Sequence, residues 1–440
     1  MPRRIFTTFL VGLSALQTLT AALVNGPMLT NVDLREAQVW VQTEGPSEIR
    51  VTYSDTEAPG TRYWSAKLKT DDALGHTACL TLDQVEPGKQ YSYQVEVDGE
   101  LAGPSAHFKT PEFYHERTPA PDLRVAVGGA HYVMQDGFEP PYRILGGGYG
   151  IFSTIQDQQP DLMLWVGNTA HLRPSDWNSR SGYLKRFTTA RAVPELQSLL
   201  ASVPQYATWG SADYGAGDAG RYYSYRGIAE DSFRAFWPQP AQAPGLDGLC
   251  TSFRRSDVEF FLLDSQSFRD VRPGSNELPS ILGNAQIEWL RNELLRSTAT
   301  FKVIIAGTPV LNPAKNPGNL SFAEREQTQL LQMLRDERIG GLFFLSGGKY
   351  YGELTRLVHA NSYNLYDLTL GPITANPKSN EDELNYFRMP GSSTFERHFA
   401  MLEFTGPEES RALTIRVYSM EGTELWNRTI EASQLQPAKL

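Results

Sequence analysis

The chain has 440 residues, 40% of them apolar and 20% charged, with 50 acidic against 40 basic side chains and a formal net charge of −10. That balance excludes a disordered tail or a membrane bundle, and the length allows two domains with a core large enough for an enzyme. An acidic surface with no Lys/Arg cluster interleaved with aromatics speaks against nucleic acid or an anionic membrane as partner.

At the N-terminus, Arg3 and Arg4 precede an apolar stretch from Ile5 to Leu16, and Leu19-Thr20-Ala21-Ala22 supplies small residues for cleavage. Residues 1–22 therefore read as a signal peptide cut near Ala21 or Ala22, which makes the protein secreted, periplasmic or cell-surface. The rival reading is an uncleaved anchor, against which Thr7, Thr8, Ser14, Gln17, Thr18 and Thr20 interrupt the stretch. No cysteine adjoins the cleavage site, which disfavours a lipid anchor. After cleavage no transmembrane segment is expected. Export permits disulfides, but the two cysteines, Cys79 and Cys250, fall in different domains and read as free thiols, a bridge between domains being the alternative.

From Val24 to about Lys109, short alternating runs separated by turn residues predict strands at 37–43, 48–53, 63–68, 76–82 and 91–97. This is the pattern of a small β-sandwich. Leu82 to Tyr91 resembles the fibronectin type III corner, which implies that the Tyr91 hydroxyl bonds back to the preceding turn. Pro104, Pro111, Pro119 and Pro121 then mark a linker. Beyond it, apolar runs at 123–127, 162–166, 205–209, 258–264, 303–306 and 342–345 alternate with helical stretches, among them Ala285 to Leu295 and Glu324 to Leu334. Alternating strands and helices predict an α/β layered domain, and Ala400 to Phe404 and Leu413 to Tyr418 add strands of a second sheet. The expected organisation is an N-terminal all-β fibronectin type III-like sandwich over 23–115 followed by an α/β domain over 118–440.

In such sheets, ligands bind beyond the carboxyl ends of the strands. The turns there are, in order, Gly128-Gly129-Ala130-His131-Tyr132, Gly167-Asn168-Thr169-Ala170-His171, Trp209-Gly210-Ser211-Ala212-Asp213-Tyr214 and Ser346-Gly347-Gly348-Lys349-Tyr350-Tyr351. With Gly146-Gly147-Gly148-Tyr149, Pro160 to Trp165, Asp176 to Arg180, Val258 to Asp264 and Gln286 to Leu290, this order resembles the alkaline phosphatase D-like metallophosphatase and phosphodiesterase family, of the calcineurin-like phosphoesterase superfamily. The resemblance covers about Val24 to Pro377 and implies a metallophosphatase-like second domain of two facing sheets flanked by helices.

It also implies metal ions held by Gly-Ser-Cys, Gly-Asp, Asp-Asp-His and Gly-Asp-Arg-His turns. This chain departs at each one. Ala130 stands for the cysteine and Asn168 for the first aspartate; Gly210, Ser211 and Ala212 replace the Asp-Asp-His run; Gly348 and Tyr350 replace the last aspartate and histidine. Gln266 takes the place of an arginine. Alanine and glycine offer no ligand atoms, and serine and neutral tyrosine are poor donors to a multivalent cation, so no metal, no cofactor and no catalytic residue are expected.

His131, Tyr132, His171, Asp213, Tyr214, Lys349 and Tyr351 remain as candidates to line a cleft, and a relocated metal site from His131, His171, Asn168 and Asp213 stays open. Tyr132, Tyr149, Trp177, Tyr214, Tyr350 and Tyr351 concentrate aromatics there, either filling the space of lost metals or binding a neutral ligand such as a sugar. The other histidines, His76, His107, His115, His359 and His398, read as surface or packing residues. No nucleophile elbow, Walker loop or dinucleotide fingerprint occurs. The reading that follows is an exported, catalytically inactive family member acting as a binding, interaction or structural protein, with an unknown protein or glycan partner. The alternative is an active phosphodiesterase or phosphomonoesterase with rearranged ligands.

Overall fold

The computed structural model describes residues 23–140, 142–217, 219–272, 277–358, 362–380 and 383–438; the leader, Asp218 and His359 lie outside these. In its first part, two antiparallel sheets enclose a core. One contains β1 (Leu23–Thr30), β2 (Ala37–Thr43) and, beyond β3 to β5, β6 (Thr77–Leu82); the other contains β3 (Glu48–Asp55), the short β4 (Tyr63–Trp64) and β5 (Leu68–Lys69), β7 (Gln90–Val97) and β8 (Glu100–Lys109). Strand periodicity explains the packing: Val39, Val41, Val51, Tyr53, Leu80, Leu82, Tyr91, Tyr93 and Phe108 all point inward. The expected run at 63–68 is broken, because Ser65 turns its hydroxyl to accept from the Val51 N–H at 2.9 Å and splits the run into β4 and β5.

Tyr91 makes the expected bond: the Glu86 N–H donates to its hydroxyl at 2.8 Å. Tyr53 accepts from the Gln84 N–H at 3.0 Å on the same turn. Changing Tyr91 to Phe strands the Glu86 N–H, and a loss of about 1 kcal/mol in the unfolding free energy is expected by urea titration. A Tyr91→Phe chain of unchanged stability would show the bond to be incidental.

The opposite face of β2 is also buried, which ordinary one-sided alternation does not predict. Trp40 inserts into the second domain's core and its Nε1–H donates to the Ala235 carbonyl at 2.6 Å. Thr30 donates to Pro238 O at 2.8 Å and Tyr93 to Ala201 O at 2.7 Å, so partly buried bonds also join the two parts.

The second part is layered. β9 (Leu123–Gly128), α1 (Ile151–Asp157), β10 (Leu162–Val166), α2 (Arg180–Arg191), α3 (Gln197–Ser202), β11 (Gln205–Thr208), α4 (Ser211–Tyr214) and α5 (Arg226–Phe236) come first. Next are β12 (Thr251–Arg255), β13 (Val258–Leu262), α6 (Asn284–Arg296), β14 (Phe301–Ala306), α7 (Glu324–Asp336), β15 (Leu342–Ser346), β16 (Glu353–Leu357) and β17 (Leu365–Thr369). A meander of β18 (His398–Thr405), β19 (Ala412–Ser419) and β20 (Glu424–Glu431) ends the fold.

These strands form two six-stranded mixed sheets, ordered β11-β10-β9-β18-β19-β20 and β12-β13-β14-β15-β17-β16. Val125, Val127, Leu162, Leu164 and Val166 of the first sheet meet Phe260, Leu262, Val303 and Ile305 of the second. The alternate residues Ala126, Met163 and Trp165 face outward onto α1, α2, α3 and α5. The parallel strands β9, β10, β11 and β13, β14, β15, β17 deliver their carboxyl ends to one edge of the sandwich, and the site is built there.

Cys79 is half-buried and Cys250 buried, and neither is bridged. The Cys250 thiol donates to Gln286 Oε1 at 2.7 Å. Burial raises the Cys79 thiol to about 12, so it stays protonated.

Candidate functional site

The strand-end turns are woven together by close backbone contact. Ala130 N–H donates to Gly167 O at 3.0 Å, His131 N–H to Asn168 O at 2.8 Å, and Gly347 N–H to Ala306 O at 2.9 Å. Two glycines are needed for this approach. A Cβ on Gly347 would sit 1.6 Å from Val166 O, and one on Gly210 would sit 2.3 Å from Asn168 Oδ1. Ala130, Asn168 and His171 occupy left-handed backbone (φ 53°, 56° and 48°), a conformation most costly for Ala130, which the surrounding turns enforce.

The turn residues singled out from the sequence converge here. Asn168 Oδ1 accepts the Ala212 N–H at 3.0 Å, which seats α4 on the β10 turn. Gly348 lies against Gly307 O, Gly307 against Trp209 O, and the Ala130 methyl against Gly371. Ser211 is exposed, and Tyr350 is half-buried beside Ala130, Tyr132 and Ala375.

The expectation that His131 and His171 face an open cleft does not hold in this structure. Both are buried, and both nitrogens of each ring have partners. His131 donates from Nε2 to Ala190 O at 3.1 Å, which leaves Nδ1 to accept the Thr374 hydroxyl at 2.8 Å. His171 donates from Nδ1 to His131 O at 2.8 Å and accepts the Tyr350 hydroxyl at Nε2, 3.0 Å away. Burial pushes the His131 ring down to about 3 and the His171 ring down to about 4, so both stay neutral at physiological pH.

The other cleft candidates are likewise engaged. Asp213 is fully buried and accepts from Ala170 N at 2.8 Å, Thr169 Oγ1 at 3.1 Å and Gly210 N at 3.0 Å. Burial lifts its carboxyl to about 6. Tyr214 donates to Gly220 O at 3.0 Å, and Tyr132 donates to Glu139 Oε1 at 3.2 Å. Lys349 and Tyr351 both bind Glu383. The arrangement fills space and joins loops, and buried tyrosines supply much of both.

Two carboxylates that the sequence reading passed over organise the same edge. Asp264, fully buried after β13, accepts from Trp209 Nε1 at 2.7 Å, Gln266 N at 2.8 Å and Ser267 N at 2.9 Å on one oxygen, and from Leu249 N at 2.9 Å on the other. Its bonds to the N–H groups two and three residues on are an Asx turn, a signal present in the Asp-Ser-Gln-Ser run. Asp367, inside β17, accepts from Val310 N at 2.8 Å, Leu311 N at 2.9 Å and Ser346 Oγ at 2.5 Å, with no local signal.

Family models match the chain in two blocks: a domain of unknown function (DUF7800) over residues 20–115 and the PhoD-like phosphatase family over 125–405, more than half of the chain. The chain belongs to the PhoD-like phosphatase family. No curated protein matches it in sequence. Among solved structures, that of PhoD superposes with a TM-score of 0.74 over 94% of this chain and 93% of its own, at 14% identity. A purple acid phosphatase from seeds of yellow lupin (Lupinus luteus) gives 0.68 over 92% of this chain and 74% of its own, at 13% identity. These identities speak to the fold alone.

The family resemblance implies a metal centre, and the residues at the strand-end turns of this PhoD-like chain do not fit one. Among the described residues no group of three or more His, Cys, Asp or Glu side chains is placed to hold an ion. At the turns, Ala130, Gly210 and Gly348 have no donor atom, the Asn168 carbonyl is taken by Ala212, and the Tyr350 hydroxyl is held by His171. Asp213 and Asp264 spend their oxygens on backbone N–H groups and the Trp209 indole.

Proposed function

We propose that this PhoD-like chain is an exported, catalytically silent family member that works by binding a protein or glycan partner in the secreted, periplasmic or cell-surface space. The observation that carries this reading is the chemistry of the converging turns. Ala130, Asn168, Gly210, Ser211, Ala212, Gly348 and Tyr350 stand where the family resemblance puts metal ligands. A catalytic ion needs about three protein ligands, and these positions keep one carbonyl oxygen, already hydrogen-bonded.

The leader's composition supports export, and among the described residues no helix is long and apolar enough to cross a membrane. The Tyr91 corner supports a fibronectin type III-like first domain over 23–115, with the metallophosphatase-like domain over 118–440.

Purified protein is expected to contain well under one equivalent of iron, calcium or zinc by elemental analysis. It is also expected to hydrolyse p-nitrophenyl phosphate and its bis-ester no faster than a boiled control. Family membership favours a second reading, a hydrolase with rearranged ligands drawn from His131, His171, Asn168 and Asp213. Stoichiometric metal together with hydrolysis lost in His131→Ala or His171→Ala would replace the first reading by that one.

A further inference from the structure

Beside Tyr350, five hydrogen bonds converge on a single carboxylate. Glu383, from the segment between β17 and β18, accepts from Lys349 Nζ at 2.8 and 2.9 Å, Tyr351 Oη at 2.8 Å, Asn316 Nδ2 at 2.8 Å and Asn319 Nδ2. The four donor residues come from two other stretches, the turn after β15 and the loop before α7. Asn319 is fully buried, and the Lys349 side chain is 10% exposed.

The donors are held by groups other than Glu383. Asn316 Oδ1 accepts the Gly318 N–H at 2.8 Å, Asn319 Nδ2 also donates to Ala314 O at 3.0 Å, and Thr308 Oγ1 ties down Gly318 O at 2.6 Å. Lys349 and Tyr351 flank Tyr350 on a turn whose backbone is packed against Gly307 and Gly371. Removing Glu383 would therefore leave one ammonium and three neutral donors facing the same point. That donor set matches a small oxyanion, and buried donors left without an acceptor are costly. Among the described residues Asn319 Oδ1 is buried with no partner, an acceptor for a protonated ligand oxygen.

We infer that Lys349, Tyr351, Asn316 and Asn319 form an oxyanion site in which Glu383 is a tethered ligand, and that a free carboxylate or phosphate takes the same donors when Glu383 withdraws. The site stands on its own hydrogen bonds, whether or not the chain hydrolyses esters. Burial raises the Glu383 carboxyl, but Lys349 and the bonds from Asn319 and Tyr351 outweigh it and hold it below its ordinary value, so the cradle stabilises the charged form. The unpartnered Asn319 Oδ1 can accept from the P–OH of hydrogen phosphate, a contact acetate lacks.

The test is thermal unfolding of full-length wild type, Glu383→Ala and Glu383→Ala with Lys349→Met, in inorganic phosphate, acetate or chloride at matched ionic strength. The Tm of Glu383→Ala is expected to rise by about 3 °C or more over about 50 mM phosphate relative to chloride, with the wild type and the double variant moving less than about 1 °C. A larger shift with phosphate assigns the site to phosphoryl ligands, and a larger one with acetate assigns it to carboxylates. If a variant does not fold unaided, its refolding yield in phosphate, acetate and chloride reads the same comparison. Equal shifts in all three proteins, or no shift and no recovery of Glu383→Ala in either anion, would overturn the assignment.

Discussion

Replacing Asp264 by Ala is expected to cost about 4 kcal/mol or more, enough to leave little folded protein. The carboxylate is fully buried and satisfies the Trp209 indole N–H and the backbone N–H groups of Gln266, Ser267 and Leu249. Deleting it strands four buried donors at once. Asp264→Asn keeps one acceptor oxygen but sets an amide against one of the donors, so it should fall between the wild type and Asp264→Ala. Urea unfolding followed by tryptophan fluorescence measures both. A loss under about 1 kcal/mol for Asp264→Ala would show that water enters the turn and that the anchor is dispensable.

Stability should also fall as pH drops from about 6.5 to 4. Burial depresses His131 to about 3 and both His171 and His398 to about 4 in the folded chain, against an ordinary value near 6.5. Below that value the unfolded chain takes up protons that these folded rings refuse. The contribution is therefore complete above about pH 6.5 and is lost on acidification toward the folded values. Asp213 and Asp367 act in the opposite sense, because burial raises each to about 6 and the folded state protonates first. Three histidines against two aspartates leave a net loss of about 4 kcal/mol between pH 6.5 and 4. Urea midpoints at pH 7, 6, 5 and 4.5 measure it, and His171→Gln should flatten the slope by up to one proton. A midpoint constant or rising down to pH 4.5 would mean that the rings titrate without unfolding the chain.

Much of the fold was legible in the sequence because period-two alternation and apolar runs are local properties. The strands at 37–43 and 162–166, the run at 258–264 whose strand ends at Leu262, and the helices near 285–295 and 324–334 follow from it. So does the layered α/β second part. The order of the strand-end turns, with the residues they contain, was also legible and led to the family. β12, β16 and β17 were not. β12 is a hairpin partner whose identity depends on β13, and β16 and β17 carry Glu353 and Asp367, charged residues buried at no exposure that interrupt the apolar signal.

The tertiary structure alone decided what the turn side chains do. From the sequence, His131 and His171 were loop histidines beside a presumed cleft. Their partners, Thr374, Ala190 and Tyr350, come from elements 59 to 243 residues away and turn them into neutral, buried struts. Lys349 was a cleft candidate until Glu383, 34 residues on, was found in its grasp. Residue type fixes which hydrogen bonds a side chain can make, and that is written in the chain. Which bonds form depends on the groups that folding brings within about 3 Å, and that information is shared among segments whose separation no local pattern records.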